Sequence, residues 1–387
     1  MRDDSKAVRG GLHRSGFDET AEALWLTSGF VYPSAEEAAA AFDGESDHFI
    51  YSRYGNPTVA TFEERMALVE GAEAGFATAS GMAAVFAALA SSVRSGDRIV
   101  AARSLFGSCF IILDEILPRW GVTTDFVDGA DLEQWERALS EPASLVFFET
   151  PSNPMQELVD VRAVSELAHA AGAKVVVDNV FATPVLQSPL SLGADVVVYS
   201  ATKHIDGQGR VLGGVVLGPE VWVRETLQPF MRHTGPSMSP FNAWVLTKAL
   251  ETMRLRIEHQ SAQAHALAQR LEGAPGVERV WYPMLSSHPQ HELATAQMSG
   301  GGTVVTFSIE GGAERAFRLL NALEMVDISN NLGDSKSIIT HPESTTHRRL
   351  EPEVRAAMGI TSGVLRLSVG LEDLEDIWED VERALGA

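Results

Sequence analysis

The feature that most constrains the fold is a set of short valine-rich segments separated by helical stretches. Two of them are Lys174–Asp178 (Lys-Val-Val-Val-Asp) and Asp195–Ser200 (Asp-Val-Val-Val-Tyr-Ser), and similar runs occur at Arg98–Ala102 and Leu145–Glu149. β-Branched runs this short are typical of strands buried on both faces. The intervening sequence, such as Val161–Ala171, has helical periodicity. This alternation predicts an α/β fold with a mostly parallel sheet flanked by helices.

The pattern of apolar residues along the chain changes twice, which divides the chain into three parts. Residues 1–57 have only scattered apolar side chains and predict an extended arm, with one short helix near Ser34–Ala41, that contacts a neighbouring subunit. Residues 58–250 carry the strand–helix alternation and predict the large domain. Residues 251–387 predict a smaller α+β C-terminal domain. A long helical stretch, with a possible break, is predicted at Asn242–Leu271.

The charge balance excludes several classes of partner. The chain has 30 Lys and Arg residues against 52 Asp and Glu residues, a net charge of −22. Such an acidic protein is repelled by nucleic acid and by anionic membranes, so neither is expected as a partner.

There is no apolar run of about 18 residues, which a transmembrane helix needs. The single cysteine, Cys109, cannot form an internal disulfide and is expected to be buried. We expect a soluble, cytoplasmic protein.

Polar side chains occur where α/β proteins bind ligands, beyond the carboxyl ends of the strands. Asp178 ends one valine run, and Ser200, Thr202 and Lys203 follow another. Hydroxyl groups can bind a phosphate, and an amine can form a Schiff base with an aldehyde. Gly81 lies at the start of an alanine-rich helix, whose free N–H groups and positive dipole end suit a phosphate.

Each of these residues also has a purely structural interpretation. Asp178 can be a helix cap, Lys203 a solvated loop lysine and Gly81 an ordinary helix start. Together, however, a phosphate-binding helix, an acid for a pyridinium nitrogen and a lysine for an aldehyde meet the requirements of pyridoxal 5'-phosphate (PLP). Two pairs of loop histidines lack a thiol or carboxylate at a recognised spacing, so no metal site is predicted.

On these residues the chain resembles the Cys/Met-metabolism, or trans-sulfuration, family of PLP-dependent enzymes. The matching segments are Tyr51–Thr58, Ser80–Ala84, Glu149–Pro154, Asp178, Ser200–Lys203 and Leu365–Asp373. The resemblance implies a fold type I transferase in which residues 58–250 bind PLP. It also implies a homotetramer built from dimers that share their active sites.

The resemblance further implies a role for individual residues. Lys203 carries the cofactor and moves protons, and Asp178 keeps the pyridine nitrogen protonated. The residues expected to contact the cofactor are Tyr51, Arg53, Gly81, Met82, Phe106, Asp178, Ser200, Thr202 and Lys203. Of these, Tyr51 and Arg53 are expected to reach the phosphate in the neighbouring subunit. The residues expected to hold the substrate α-carboxylate are Asn153, Ser337 and Arg366.

One residue departs from the family pattern. Many relatives stack a tyrosine on the cofactor ring, and the matching residue here is Phe106. A phenylalanine can stack but cannot transfer a proton. We therefore expect Lys203 to carry more of the acid–base chemistry.

Within the family, Ser200–Arg210 and Leu332–Ser337 are similar to the branch that uses O-succinylhomoserine and sulfide. The implied reaction is a γ-replacement that forms homocysteine and succinate in methionine biosynthesis. The alternatives are a cystathionine γ-synthase, a cystathionine γ-lyase, or a non-catalytic scaffold that retains the fold. The presence of both Lys203 and Asp178 argues against the scaffold.

The residue before Ser337 bears on the sulfur donor. Relatives that make or cleave cystathionine typically have an acid there, whereas this chain has Lys336. A cation cannot pair with the ammonium group of cysteine, which favours sulfide as the donor. Lys336 and Arg210 are both candidates to bind the succinyl carboxylate, and the alternative for Lys336 is that it points to solvent.

Overall fold

The computed structural model describes residues 1–387 and contains two sheets, one of seven strands and one of five. The strands are β1 (Ala74–Thr78), β2 (Arg98–Ala102), β3 (Thr123–Val127), β4 (Leu145–Glu149), β5 (Lys174–Asp178), β6 (Val196–Ser200), β7 (Gly214–Gly218), β8 (Val277–Trp281), β9 (Val304–Ile309), β10 (Asp327–Ile328), β11 (Ile338–Thr340) and β12 (Val364–Ser368). The first seven strands form the large sheet and the last five form the small one.

The α-helices cover both sheets. They are α1 (Asp3–Arg9), α2 (Ala35–Phe42), α3 (Pro57–Glu70), α4 (Gly81–Ala90), α5 (Gly107–Ile111), α6 (Leu132–Ala138), α7 (Val161–Ala170), α8 (Thr183–Leu186), α9 (Glu220–Trp222), α10 (Gln228–Thr234), α11 (Pro240–Leu250), α12 (Met253–Glu272), α13 (His291–Gln297), α14 (Gly312–Ala322), α15 (Pro352–Ala357) and α16 (Leu374–Leu385). None of them has both the length and the apolar character needed to cross a lipid bilayer.

The large sheet is mostly parallel, as expected. Its strand order is β1-β7-β6-β5-β4-β2-β3, and only β7 runs against its neighbours. The valines of β5 and β6 are fully buried because helices pack on both faces of the sheet. On one face, α4 and α5 share an apolar core with these strands, and on the other face α3, α6, α7 and α11 do so. The parallel arrangement brings the carboxyl ends of β4, β5 and β6 to one edge.

Most of the predicted elements are present, with one correction. The break considered within Asn242–Leu271 is present, because α11 ends at Leu250 and α12 begins at Met253. The arm contains α1 as well as the expected α2. The division at residues 57 and 250 stays a prediction, although both sheets fall on the expected sides of residue 250.

A buried arginine ties the arm to the large domain. Arg65 of α3 is fully buried and donates hydrogen bonds to the Gly10 carbonyl at 2.8 Å and to the Thr247 carbonyl at 3.2 Å. Its guanidinium also pairs with the Glu22 carboxylate, which accepts a second hydrogen bond from Lys248 at 3.0 Å. One side chain therefore connects two points of the arm with α3 and α11.

Replacing this side chain should loosen the arm. Arg65→Met leaves Glu22 short of a partner inside the protein, and breaking a buried pair in this way costs about 3–5 kcal/mol. We expect a lower melting temperature and protease cleavage within residues 10–25. The matched control is Arg254→Met, which removes a partly exposed contact to Asp4 at 2.6 Å, and such pairs contribute about 0–1 kcal/mol. Equal stability losses in the two variants would contradict the anchoring role.

Candidate active site

Three polar residues meet where the parallel strands end. Glu149 ends β4, Asp178 ends β5 and Ser200 ends β6, and Glu149 lies directly beside Asp178 in the strand register. All three line one cavity of about 840 Å³. This is the edge of an α/β sheet at which ligands bind.

The start of helix α4 forms one wall of this cavity. The Ser80 hydroxyl accepts the Ala83 N–H at 3.2 Å, so the N–H groups of Gly81 and Met82 have no acceptor within the helix. A Cβ atom on Gly81 would lie 2.5 Å from the Ser200 Cβ, which means that only glycine permits this close approach. Free N–H groups at a helix start beside a serine hydroxyl suit a phosphate.

The two carboxylates at the strand ends are both buried. Glu149 accepts the Phe106 N–H with one oxygen and the Asn153 N–H with the other, each at 2.9 Å. Burial raises the pKa of Asp178 to about 7, and its carboxylate accepts one backbone N–H, from Val180 at 3.1 Å. Burial and the adjacent Asp178 charge raise the pKa of Glu149 well above its usual value. A cation placed against Asp178 would relieve this, as a protonated pyridine nitrogen does.

The lysine that follows β6 reaches into the same cavity. The Lys203 ammonium group donates a hydrogen bond to the side-chain oxygen of Asn331. Burial, assisted by the nearby Arg366 charge, lowers the pKa of Lys203 to about 8. A lysine with this pKa supplies neutral amine close to physiological pH, and the neutral amine is the nucleophile that attacks an aldehyde.

An arginine from the small sheet completes the floor of the cavity. Arg366 of β12 is buried and donates to the Asn153 side-chain oxygen at 2.9 Å and to the carbonyls of Asn330 and Asn331 at 2.9 and 3.0 Å. Its Nε–H has no hydrogen-bond partner. Because the direct partners are neutral, the guanidinium keeps a charge that suits a substrate carboxylate.

Nine of the twelve residues expected at the site line the cavity: Gly81, Met82, Phe106, Asn153, Asp178, Ser200, Thr202, Lys203 and Arg366. The other three lie elsewhere in the chain. Tyr51 is exposed on the arm, and Arg53 stacks over the Tyr54 ring, 4.7 Å from its centre. Ser337 is buried but its hydroxyl donates to Glu372 at 2.9 Å and accepts the Gly370 N–H at 2.9 Å.

The two candidate cations for the succinyl carboxylate, Lys336 and Arg210, do not line the cavity. Lys336 lies 3.4 Å from the Asp334 carboxylate, and 64% of its side chain is exposed, so its solvent-facing alternative is correct. Arg210 pairs at 2.9 Å with Asp206, which is fully buried. Both side chains have an aspartate partner within the chain, and neither position supports a role in binding the succinyl carboxylate.

Three cavity residues with acidic or basic side chains were not predicted as functional residues: Glu149, His347 and Arg349. Glu149 had a signal, because it is an acid at the end of a buried strand next to another such strand. His347 and Arg349 come from an irregular segment after β11, whose sequence has no periodicity to place it. Burial lowers the pKa of His347 to about 4, so its imidazole is neutral. No cluster of three potential metal ligands occurs in the structure.

The residues present fit PLP. The start of α4 and Ser200 offer donors for the phosphate, and Phe106 offers an aromatic face for the ring. Asp178 offers an acid that suits a pyridine nitrogen, and Lys203 offers an amine of lowered pKa that suits an aldehyde. These are the groups that this cofactor requires.

Known proteins are similar to this chain in sequence and in fold. The pattern of the Cys/Met metabolism PLP-dependent enzymes matches residues 4–386. An O-succinylhomoserine sulfhydrylase from Mycobacterium tuberculosis is 64% identical over 382 residues, which cover 98% of this chain and 94% of that protein. An O-succinylhomoserine sulfhydrylase from Pseudomonas aeruginosa is 52% identical over 384 residues, which cover 99% and 95%.

A solved structure supports the same grouping. This chain matches a crystal structure from Campylobacter jejuni with a TM-score of 0.97. That structure is described as an O-acetylhomoserine (thiol)-lyase with N'-pyridoxyl-lysine-5'-monophosphate in its chain. The sequence identity is 29%, and the match covers 100% of both chains. The similarity therefore includes both sheets. The chain belongs to the Cys/Met metabolism family of PLP-dependent enzymes.

Proposed function

We propose that this chain catalyses a PLP-dependent γ-replacement that converts O-succinylhomoserine and sulfide into homocysteine and succinate, a step of methionine biosynthesis. The relatives that carry this activity in their names are 64% and 52% identical over nearly the full length. The observation that carries the proposal is the placement of Lys203, Asp178 and Arg366 around one cavity. The three groups match an aldehyde, a pyridine nitrogen and an α-carboxylate.

When bound, PLP supplies an electron sink that stabilises negative charge at the substrate carbons. Asp178 would keep a proton at the pyridine nitrogen, because its buried carboxylate has no other cation beside it. Gly81, Met82, Ser200 and Thr202 would hold the phosphate, and Phe106 would offer its aromatic face to the ring. Lys203 moves protons from Cα and Cβ of the substrate and returns them, since Phe106 has no acidic group.

The substrate α-carboxylate is held by Arg366 and Asn153, which are already hydrogen-bonded to each other at 2.9 Å. This positions Cα near the Lys203 amine. The Cγ–oxygen bond breaks and the succinyl group leaves as a carboxylate. Hydrosulfide then forms the Cγ–sulfur bond, and the protons removed by Lys203 return to carbon. The net change is one acyloxy group exchanged for one thiol.

The charges in the cavity favour sulfide over cysteine. The acidic residues that line the cavity are Glu149 and Asp178. Glu149 already binds two backbone N–H groups, and Asp178 is assigned to the pyridine nitrogen. An incoming cysteine would bring an ammonium group that finds no free carboxylate there. Hydrosulfide has no ammonium group and therefore needs no carboxylate partner.

We also propose that the active unit is a homotetramer of dimers that share their sites. Tyr51 and Arg53 lie outside the cavity of their own chain, which suits a role in the neighbouring subunit. The arm exposes large apolar side chains, including Phe17 at 92% and Val31 at 90% exposure. A second copy of the chain would cover this exposed apolar surface.

We further propose that residues 58–250 form the domain that binds PLP.

The function is tested by product analysis. With O-succinylhomoserine as the acyl donor, kcat/KM for sulfide should exceed that for cysteine, and homocysteine should dominate over cystathionine. Selectivity is the ratio of these constants, so both donors must be measured with the same enzyme. An equal or higher value for cysteine would identify a cystathionine γ-synthase instead. The inactive control is Lys203→Ala.

The lowered pKa of Lys203 predicts how the cofactor-free protein takes up PLP. The pKa of about 8 means that the neutral amine becomes the main form above pH 8, not above pH 10.5. The rate of covalent capture should rise with pH up to about 8 and then level off. It can be followed by visible absorbance, with borohydride fixation and peptide mapping to identify the lysine. A rate that keeps rising to pH 10, or a label on another lysine, would contradict the assignment.

A neutral replacement of Glu149 should disturb both loops that it holds. In the Glu149→Gln variant the new side chain could accept only one of the two N–H groups, because its amide nitrogen would face the other donor. Losing a charge-assisted hydrogen bond costs about 1.5–3 kcal/mol, so the substitution should lower kcat/KM by roughly 10–100-fold. The control is Glu157→Gln, which affects a weaker contact to Ser104 at 3.3 Å outside the cavity. Activity within twofold of wild type for Glu149→Gln would exclude this role.

A further inference from the structure

One cation on the cavity wall has no partner. The basic side chains that line the cavity, apart from the neutral His347, are Lys203, Arg349 and Arg366. Lys203 is bonded to Asn331, and Arg366 is bonded to Asn153 and two carbonyls. The Arg349 guanidinium makes neither a hydrogen bond nor an ion pair within the chain. The nearby Arg355, by contrast, contacts both Glu343 and the Leu350 carbonyl.

The segment that carries Arg349 forms the outer wall of the cavity. A Cβ atom on Gly107 would lie 3.5 Å from the Thr346 carbonyl oxygen, so this segment packs against the start of α5, next to Phe106. His341 anchors the segment by hydrogen bonds at 2.9 Å to the Ser344 hydroxyl and the Ser362 carbonyl. Arg349 is exposed yet still lines the cavity, which places its charge where the cavity opens to water.

We infer that Arg349 binds the terminal carboxylate of the succinyl group and thereby selects succinyl over acetyl donors. This inference rests on the proposed function. O-Succinylhomoserine has a carboxylate at each end, and Arg366 can hold only the α-carboxylate. A guanidinium binds the second carboxylate through two parallel hydrogen bonds. An acetyl donor has no such group and gains nothing from Arg349.

The position of Arg349 also suits the leaving group. A fully buried cation would hold the departing dicarboxylate tightly, whereas a solvent-exposed ion pair contributes little free energy. Arg349 can therefore select the donor without trapping the succinate that each turnover releases. Lys336 and Arg210 cannot do so, since both lie outside the cavity and pair with aspartates.

The chain offers a matched control in Arg348. It is the adjacent residue, is also exposed, and does not line this cavity. Arg348→Gln and Arg349→Gln remove the same charge from the same segment. Any effect on long-range attraction of an anionic substrate should therefore appear in both variants, and only direct pairing should separate them.

The first experiment measures kcat/KM with sulfide for O-succinylhomoserine and O-acetylhomoserine. Arg349→Gln should lose about 3–5-fold with the succinyl donor, mainly through a higher KM, and less than twofold with the acetyl donor, because an exposed ion pair contributes about 0–1 kcal/mol. Arg348→Gln should change neither by more than twofold, and Arg349→Lys should recover part of the loss. Equal losses with both donors, or no loss with the succinyl donor, would overturn the inference.

A second experiment does not depend on turnover. Succinate and acetate are titrated into the PLP-bound enzyme, and binding is followed by the absorbance of the cofactor. Arg349→Gln should weaken succinate binding about 3–5-fold relative to acetate, and Arg348→Gln should leave this ratio unchanged. An unchanged succinate-to-acetate ratio would overturn the inference. If wild type converts no acylhomoserine with sulfide, the proposed function fails, while this ratio still decides the role of Arg349.

Discussion

The site depends on two carboxylates buried side by side at the end of a parallel sheet. Glu149 and Asp178 are direct neighbours in the strand register, and both pKa values are raised because burial disfavours the charged form. Such a pair is costly unless each member has donors or a cation. Glu149 obtains two backbone N–H groups, which fixes the loops that carry Phe106 and Asn153. Asp178 obtains only one, and this leaves it available to a cationic ring nitrogen.

Burial in the same cavity also gives Lys203 and Arg366 different roles. Burial lowers the pKa of Lys203 to about 8 and that of Arg366 to about 10. At physiological pH the lysine therefore supplies some neutral amine, while the arginine remains charged. One group can act on an aldehyde or a carbon-bound proton, and the other can hold a carboxylate. A guanidinium suits the second task because it stays protonated even when buried.

How much the sequence predicted depends on how local each signal is. Strands β4, β5 and β6 were found because burial on both faces demands continuous apolar runs. Strand β1 was missed because its Ala and Gly residues lack β propensity, and the edge strand β3 because it is only partly buried. Asp178 and Lys203 were predictable because each directly follows a strand that fixes its position. Arg349 was not, because an irregular segment with no periodicity brings it to the cavity.

The failure of Lys336 and Arg210 as carboxylate-binding candidates has a physical cause. In a chain with 52 acidic and 30 basic residues, an aspartate is often close along the backbone, as Asp334 and Asp206 are to these two cations. A locally paired cation has little attraction left for a substrate. Charge type alone therefore cannot identify a carboxylate-binding residue. The useful criterion is an unpaired cation on a cavity wall, and among the exposed basic residues of this site Arg349 meets it.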